Sequence, residues 1–262
     1  MPKLLGVPTN QMNKTLQGFD YTSVTVDKLG ASEYTVVQIV VDQTGSVASF
    51  KKELEDMLAM SLESCQKSPR ALNLIARSTA FSSMFGRKNI EEIHGFAPLN
   101  TIDTTKFAGT IDPDGGTPLF DATIEAIGAL YDYGQKLYDK QILSNAIIFI
   151  ITDGDDNASD RTKNNPQTIK ALIDKIRREE KIESIRTILI GINDVDKNGK
   201  PTALKALLEQ FKDEAGLDEY ISVGEATKGK LAKLAQFVSR STSSTSQALG
   251  SGGPSQPISL TF

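Results

Sequence analysis

The sequence predicts an α/β fold: a doubly wound, mostly parallel central sheet flanked by helices on both faces, with an N-terminal antiparallel edge strand. Three observations predict it. Val36–Ser46 (VVQIVVDQTGS) opens as an apolar, β-branched run broken only by Gln38, the pattern of a strand buried on both faces. Asn145–Thr152 (NAIIFIIT) and Ile185–Ile192 repeat that pattern further along the chain. Between these runs lie segments with apolar residues at helical spacing, and strands that alternate with helices build a mostly parallel sheet.

Residues 1–18, with Pro2, Pro8 and Gly18, read as a polar, irregular arm. Thr22, Val24 and Val26 alternate with Ser23, Thr25 and Asp27, which predicts a half-exposed strand. The loop Asp27–Glu33 then folds it back as a hairpin edge placed before the main sheet. Val47, Phe50, Leu54, Met57 and Leu58 mark a first helix, ended by Ser68–Pro69. Leu72–Phe81 and Ile90–Phe96 are strands separated by a turn at Gly86–Asn89, and Pro98–Asp112 is a long surface loop. Asp114-Gly115-Gly116-Thr117-Pro118 introduces a helix bearing Phe120, Ile124, Ile127, Leu130 and Tyr131, with Thr117 at its N-cap and Pro118 in its first turn. Helices follow at Pro166–Arg178, Ala203–Ala215 and Thr227–Ser239, with a short strand at Tyr220–Val223. Ser241–Phe262 has no charged residue and is rich in Ser, Thr, Gly, Gln and Pro, the composition of a flexible tail. Its end, Ile258–Phe262, alternates apolar and polar residues and suits pairing with a sheet edge. The domain plan is an arm (1–18), one folded domain (19–240) and a tail (241–262).

With 39% hydrophobic and 24% charged residues, the 262-residue chain can bury a sizeable core. A net charge of −4 gives no basic footprint for nucleic acid and no polybasic patch for anionic lipid. No apolar run approaches the ~20 residues that span a bilayer, and the N-terminus lacks the apolar core of a signal peptide. The single cysteine, Cys65, forms no internal disulfide. These features predict a cytoplasmic protein.

The chemistry concentrates at the ends of the buried strands. Asp42, Thr44 and Ser46 leave one strand together at i, i+2 and i+4. Asp153 follows another strand, and Thr117 opens a helix after the permissive Gly115-Gly116 turn. In a parallel sheet the C-terminal strand ends share one edge, where ligands bind. Five oxygen-bearing side chains thus converge, and they are hard ligands suited to Mg²⁺, with Mn²⁺ or Ca²⁺ as alternatives. Two carboxylates this close repel, and a divalent cation removes that cost. The competing reading of Thr44, Ser46 and Asp42 is an ordinary helix N-cap.

Three motifs, DQTGS at 42–46, GGTPL at 115–119 and ITDGDDN at 151–157, resemble the three loops of the von Willebrand factor type A (vWA) domain, in its intracellular bacterial or phage-like form. The resemblance covers about residues 34–239. It implies a metal-ion-dependent adhesion site (MIDAS) formed by Asp42, Thr44, Ser46, Thr117 and Asp153, with Thr44 where serine is usual. It also implies binding rather than catalysis: the hydroxyls ligate directly, the Asp residues often act through water, and a partner protein's Asp or Glu carboxylate fills the open position. Intracellular relatives often work with AAA+ ATPases or in multi-protein assemblies.

Two alternatives stand beside this one. A Rossmann-like, metal-dependent phosphohydrolase would use Asp42 as nucleophile, but Thr44 occupies the place of its general acid. A scaffold would use the metal only to fix its loops. A P-loop is absent. His94, the sole histidine, reads as structural. Asp194-x-Asp196-x-Asn198-Gly199 reads as an ordinary turn, because Lys205 stands where an EF-hand needs Glu. Asp155 and Asp156 are expected to shape an acidic rim, the alternative being that one of them supports a metal ligand from behind.

Overall fold

The computed structural model describes residues 2–4, 7, 11–84, 89–196 and 198–251. Its strands are β1 (Gln11–Lys14), β2 (Asp20–Ser23), β3 (Glu33–Asp42), β4 (Leu74–Phe81), β5 (Ile90–Pro98), β6 (Leu143–Thr152), β7 (Ser184–Ile192) and β8 (Glu219–Gly224). Its helices are α1 (Lys51–Gln66), α2 (Leu119–Asp139), α3 (Pro166–Glu179), α4 (Ala203–Ala215) and α5 (Lys228–Ser251). The strands form one mixed, mostly parallel sheet in the order β1-β2-β5-β4-β3-β6-β7-β8. Only the β1/β2 and β4/β5 pairings are antiparallel.

β3 lies between β4 and β6, and its two faces feed two cores. Val36 and Val40 join α2, α3 and α4 on one side, while Val37, Ile39 and Val41 join α1 and α5 on the other. Burial on both faces is why the strand is continuously apolar. Gln38 is tolerated because its amide donates to the Thr79 hydroxyl (3.2 Å) and its carbonyl accepts from Arg77 (3.3 Å). Arg77 on β4 is itself fully buried. It makes a two-pronged contact with Glu125 of α2 (2.5 and 3.1 Å) and donates to Glu92 of β5 (2.8 Å), which joins three elements by charge.

Four expectations change. The N-terminal hairpin is made by β1 and β2, within and beside the segment expected to be an irregular arm, and β2 does not pair with β3. Val24 and Val26 leave the sheet to join the core, and β2 is held to β5 at Ser23 and Phe96, with Tyr21 edge-on to the Phe96 ring. Pro98–Asp112 is largely exposed, as a surface loop should be, but it is pinned to the core, since Leu99, Ile102, Phe107 and Ile111 are buried. Their irregular spacing hides them from any periodic test. Gln66 ties this segment to α1 by donating to the carbonyls of Leu99 (2.9 Å) and Ile102 (2.8 Å).

The third change is α5, which runs through Ser251, so residues 241–251 are helical rather than a tail. Ser241, Thr242, Thr245 and Ser246 are buried. Asn145 donates to the Thr245 carbonyl (2.9 Å), and Arg70 donates to the Ser246 hydroxyl (3.2 Å). Small hydroxyl side chains that resemble a linker are here a helix face fitted closely to the sheet, so tertiary packing overrides composition. The fourth is α2, which is buried almost all round rather than on one face. Ile258–Phe262 lies outside the described residues, as does all but Asn89 of the turn expected at Gly86–Asn89. Among the described residues, no helix is long and apolar enough to cross a membrane.

Candidate metal centre

β3 ends at Asp42, whose side chain is buried beneath the turn that follows. One carboxylate oxygen accepts from the Thr44 backbone N–H (2.8 Å) and the other from the Thr152 hydroxyl (2.6 Å). The next residues, Gly45–Phe50, form a 3-10 turn before α1. Thr44 precedes that turn without capping it; its hydroxyl lies 3.0 Å from the Ser46 hydroxyl. The Ser46 hydroxyl donates to Asp153 (2.7 Å), so Thr44 donates to Ser46. Asp42, Thr44, Ser46 and Asp153 therefore form one connected string, and the hydroxyls are not spent on capping.

Thr117 reaches this edge from the other side. The N-cap of α2 is Pro118, not Thr117, and Thr117 makes no side-chain cap. Among the described residues its hydroxyl has no hydrogen-bond partner. It sits over Gly154, where an added Cβ would come within 3.0 Å of it. Its backbone is fixed by Asn157, whose side chain accepts from the Thr117 N–H (2.7 Å) and whose own N–H donates to the Thr117 carbonyl (3.0 Å). Gly115 has φ 72°, and its carbonyl accepts from the Gly45 N–H (3.3 Å). A Cβ at Gly115 would lie 2.1 Å from the Ser83 carbonyl oxygen, so only glycine fits this bend. The loops carrying the three motifs are thus stitched to one another.

Burial pushes the Asp42 carboxyl up to about 6, against the lowering effect of its bonds from Thr152 and Thr44, and the nearby Asp153 charge adds to the rise. Burial also raises Asp153, opposed by Ser46 and by Asn193. Two carboxylates held where ionisation is costly fit a site for positive charge. Among the described residues no three His, Cys, Asp or Glu side chains are gathered, and three of the five donors here are hydroxyls. Such an all-oxygen set of low charge fits a hard divalent cation that keeps open positions.

Several positioning residues escaped the sequence reading. Gln43, between two candidate ligands, is buried. Its carbonyl accepts from Lys3 (3.0 Å) and the Asp112 N–H (3.3 Å), and its amide donates to Glu91 (3.1 Å). Thr152 and Asn157 lie inside the ITDGDDN motif and were findable there; nothing in the sequence marks Lys3. Asn193, at the end of β7 with φ 57°, accepts from the Ala226 N–H (3.1 Å) ahead of α5.

Asp156 does not shape a rim. It is buried, accepts from the Phe120 N–H (3.2 Å) in the first turn of α2, and pairs with Arg161 (2.9 Å). Asp196 accepts from Asn198 and Lys200 backbone N–H groups (both 2.8 Å), which makes its loop an ordinary turn. His94 is buried. Its Nδ1 donates to the Gly95 carbonyl (3.0 Å), and burial pushes the imidazole down to about 4.

No family model matches the sequence, and no curated protein matches it. Among solved structures, the pilus adhesin SpaC from Lactobacillus rhamnosus GG aligns over 86% of this chain and 32% of its own, with 10% identity and a TM-score of 0.53. Its open conformation gives 10% identity, 86% and 31% coverage and a TM-score of 0.51. Proximal thread matrix protein 1 from the mussel byssus aligns over 80% of this chain and 46% of its own, with 14% identity and a TM-score of 0.49. The chain spans about a third of the length of SpaC. At such identity the similarity to SpaC is one of fold.

Proposed function

We propose that this chain is a metal-dependent protein–protein interaction module with a vWA-like, doubly wound fold and a MIDAS at the C-terminal strand edge. The observation that carries the reading is the string Asp42–Thr44–Ser46–Asp153, joined through the Thr44 N–H and through hydroxyls that cap no helix, with the Thr117 hydroxyl, unpartnered among the described residues, nearby. Mg²⁺ is the favoured ion, with Mn²⁺ or Ca²⁺ as alternatives. When bound, it supplies an electrophilic position for a partner's Asp or Glu carboxylate. Thr44, Ser46 and Thr117 offer neutral oxygens, and Asp42 and Asp153 offer charge from behind them. Gln43, Thr152 and Asn157 keep those donors in place. The partner is a protein, either an AAA+ ATPase or another component of a cytoplasmic assembly; neither nucleic acid nor membrane is involved.

A phosphohydrolase is disfavoured because Asp42, which would be its nucleophile, is buried beneath the turn, and Thr44 stands where its general acid would be. Affinity capture from native lysate, in Mg²⁺ and in EDTA, with Thr117→Ala alongside, tests the proposal. A protein retained only with Mg²⁺ and the intact threonine supports it. Retention indifferent to both changes overturns it and moves the binding surface elsewhere.

A further inference from the structure

A cleft of about 260 Å³ opens between the first turns of α2 and α3 and the outer face of α4. Asp155 lies two residues beyond Asp153 and Phe120 three beyond Thr117, so two of its lining residues closely follow candidate metal ligands in the chain. Its floor is apolar: Phe120 and Phe211 pack with ring centroids 5.0 Å apart, and Leu207 beside them is 42% exposed. Asp155, Glu214 and Arg161 also line it. The Arg161 charge is met by the buried Asp156 carboxylate. The Asp155 and Glu214 carboxylates have no cationic partner among the described residues. Glu214 accepts only from the neutral Gln210 amide (2.6 Å). An aromatic and aliphatic floor under two uncompensated carboxylates suits one kind of side chain, a long apolar stem ending in a positive charge. Arg161 already places its own guanidinium 5.5 Å from the Phe120 ring centroid, so a cation is stacked beside this floor.

We propose that this cleft takes a Lys or Arg side chain of the same partner segment whose carboxylate fills the metal position, so that the module recognises an acidic residue paired with a basic one. The inference rests on the metal-dependent reading above. Charge complementarity selects this occupant over an apolar anchor, which would bury Asp155 and Glu214 without compensation.

The test uses an array of synthetic peptides. Each carries one Asp and, at a varied spacing from it, Lys, Arg, Leu, Ala or Glu, and is probed with the labelled full chain in Mg²⁺ or EDTA. The expected result is Mg²⁺-dependent capture that favours Lys or Arg over Ala by about tenfold. Glu214→Lys, an exposed change on α4, and Asp155→Asn should each erode that preference, and Glu214→Lys should turn it toward Glu. Mg²⁺-dependent capture with no basic preference, or with one that neither variant alters, overturns the cleft proposal and leaves the metal reading intact. A basic preference that survives EDTA and Thr117→Ala, yet falls with Glu214→Lys, keeps the cleft and removes the metal reading. Capture of no peptide under either condition overturns both.

Discussion

Asp42 and His94 are both buried, and burial moves them in directions whose effects on stability oppose each other. The Asp42 carboxyl rises from 3.8 to about 6, so its ionised form costs the metal-free fold about 3 kcal/mol above that pH. That cost is relieved as pH falls through 6 toward 3.8. His94 falls from 6.5 to about 4, so the unfolded chain takes up the proton first and about 3 kcal/mol is lost as pH drops from 6.5 to 4. These two contributions nearly cancel in the metal-free protein. Asp42→Asn should therefore raise stability near pH 7.5 by up to about 3 kcal/mol and uncover the loss due to His94 on acidification. Urea unfolding in EDTA at several pH values reads both effects; a flat profile in the variant would exclude the assignment to His94. Mg²⁺ affinity of the wild type should fall as pH drops through 6, because protons compete for Asp42. Calorimetric titration at pH 7.5 and 5.5 checks this.

Individual elements are held by polar contacts as well as by apolar ones. Arg77 of β4 binds Glu125 of α2 and Glu92 of β5, all with little or no exposure. Arg77→Met should cost about 3–5 kcal/mol, because it strands the buried Glu125 carboxylate and weakens the hold on Glu92, and adding Glu125→Leu should recover part of the loss. Denaturant midpoints of the single and double variants measure that coupling. The second half of α5 makes a different demand. A chain ending at residue 240 loses the buried hydroxyl face and the bonds to Asn145 and Arg70, whereas a chain ending at 251 keeps them. The shorter chain should lose about 3 kcal/mol or more, a fall of about 6–12 °C in melting temperature, and the longer should match the full protein. Equal melting temperatures for the two would make the lower half of α5 dispensable.

At the level of the whole molecule, a divalent cation binding only the folded state stabilises it, by about 2.7 kcal/mol at a hundred times its dissociation constant. Mg²⁺ should raise the melting temperature of the wild type and not of Thr117→Ala, while EDTA leaves the fold intact; unfolding by EDTA would favour the scaffold reading. The main plan of this molecule was legible in the chain. Both-face burial demands continuous apolar runs, so β3, β6 and β7 stand out, and α4 matches its expected bounds because one apolar stripe at helical spacing defines it. That Asp42, Thr44, Ser46 and Asp153 would meet was legible because parallel strands put their ends on one edge. The sequence by itself therefore determined the alternation of strands and helices and which oxygen-bearing side chains meet at that edge. Only the tertiary structure decided that Ser241–Ser251 is helix, that β2 leaves β3 for β5, that Asp156 braces α2 and that Lys3, through Gln43, anchors the candidate site. Those outcomes depend on contacts between residues far apart in the chain, where burial and hydrogen bonding outweigh the local propensity that a sequence displays.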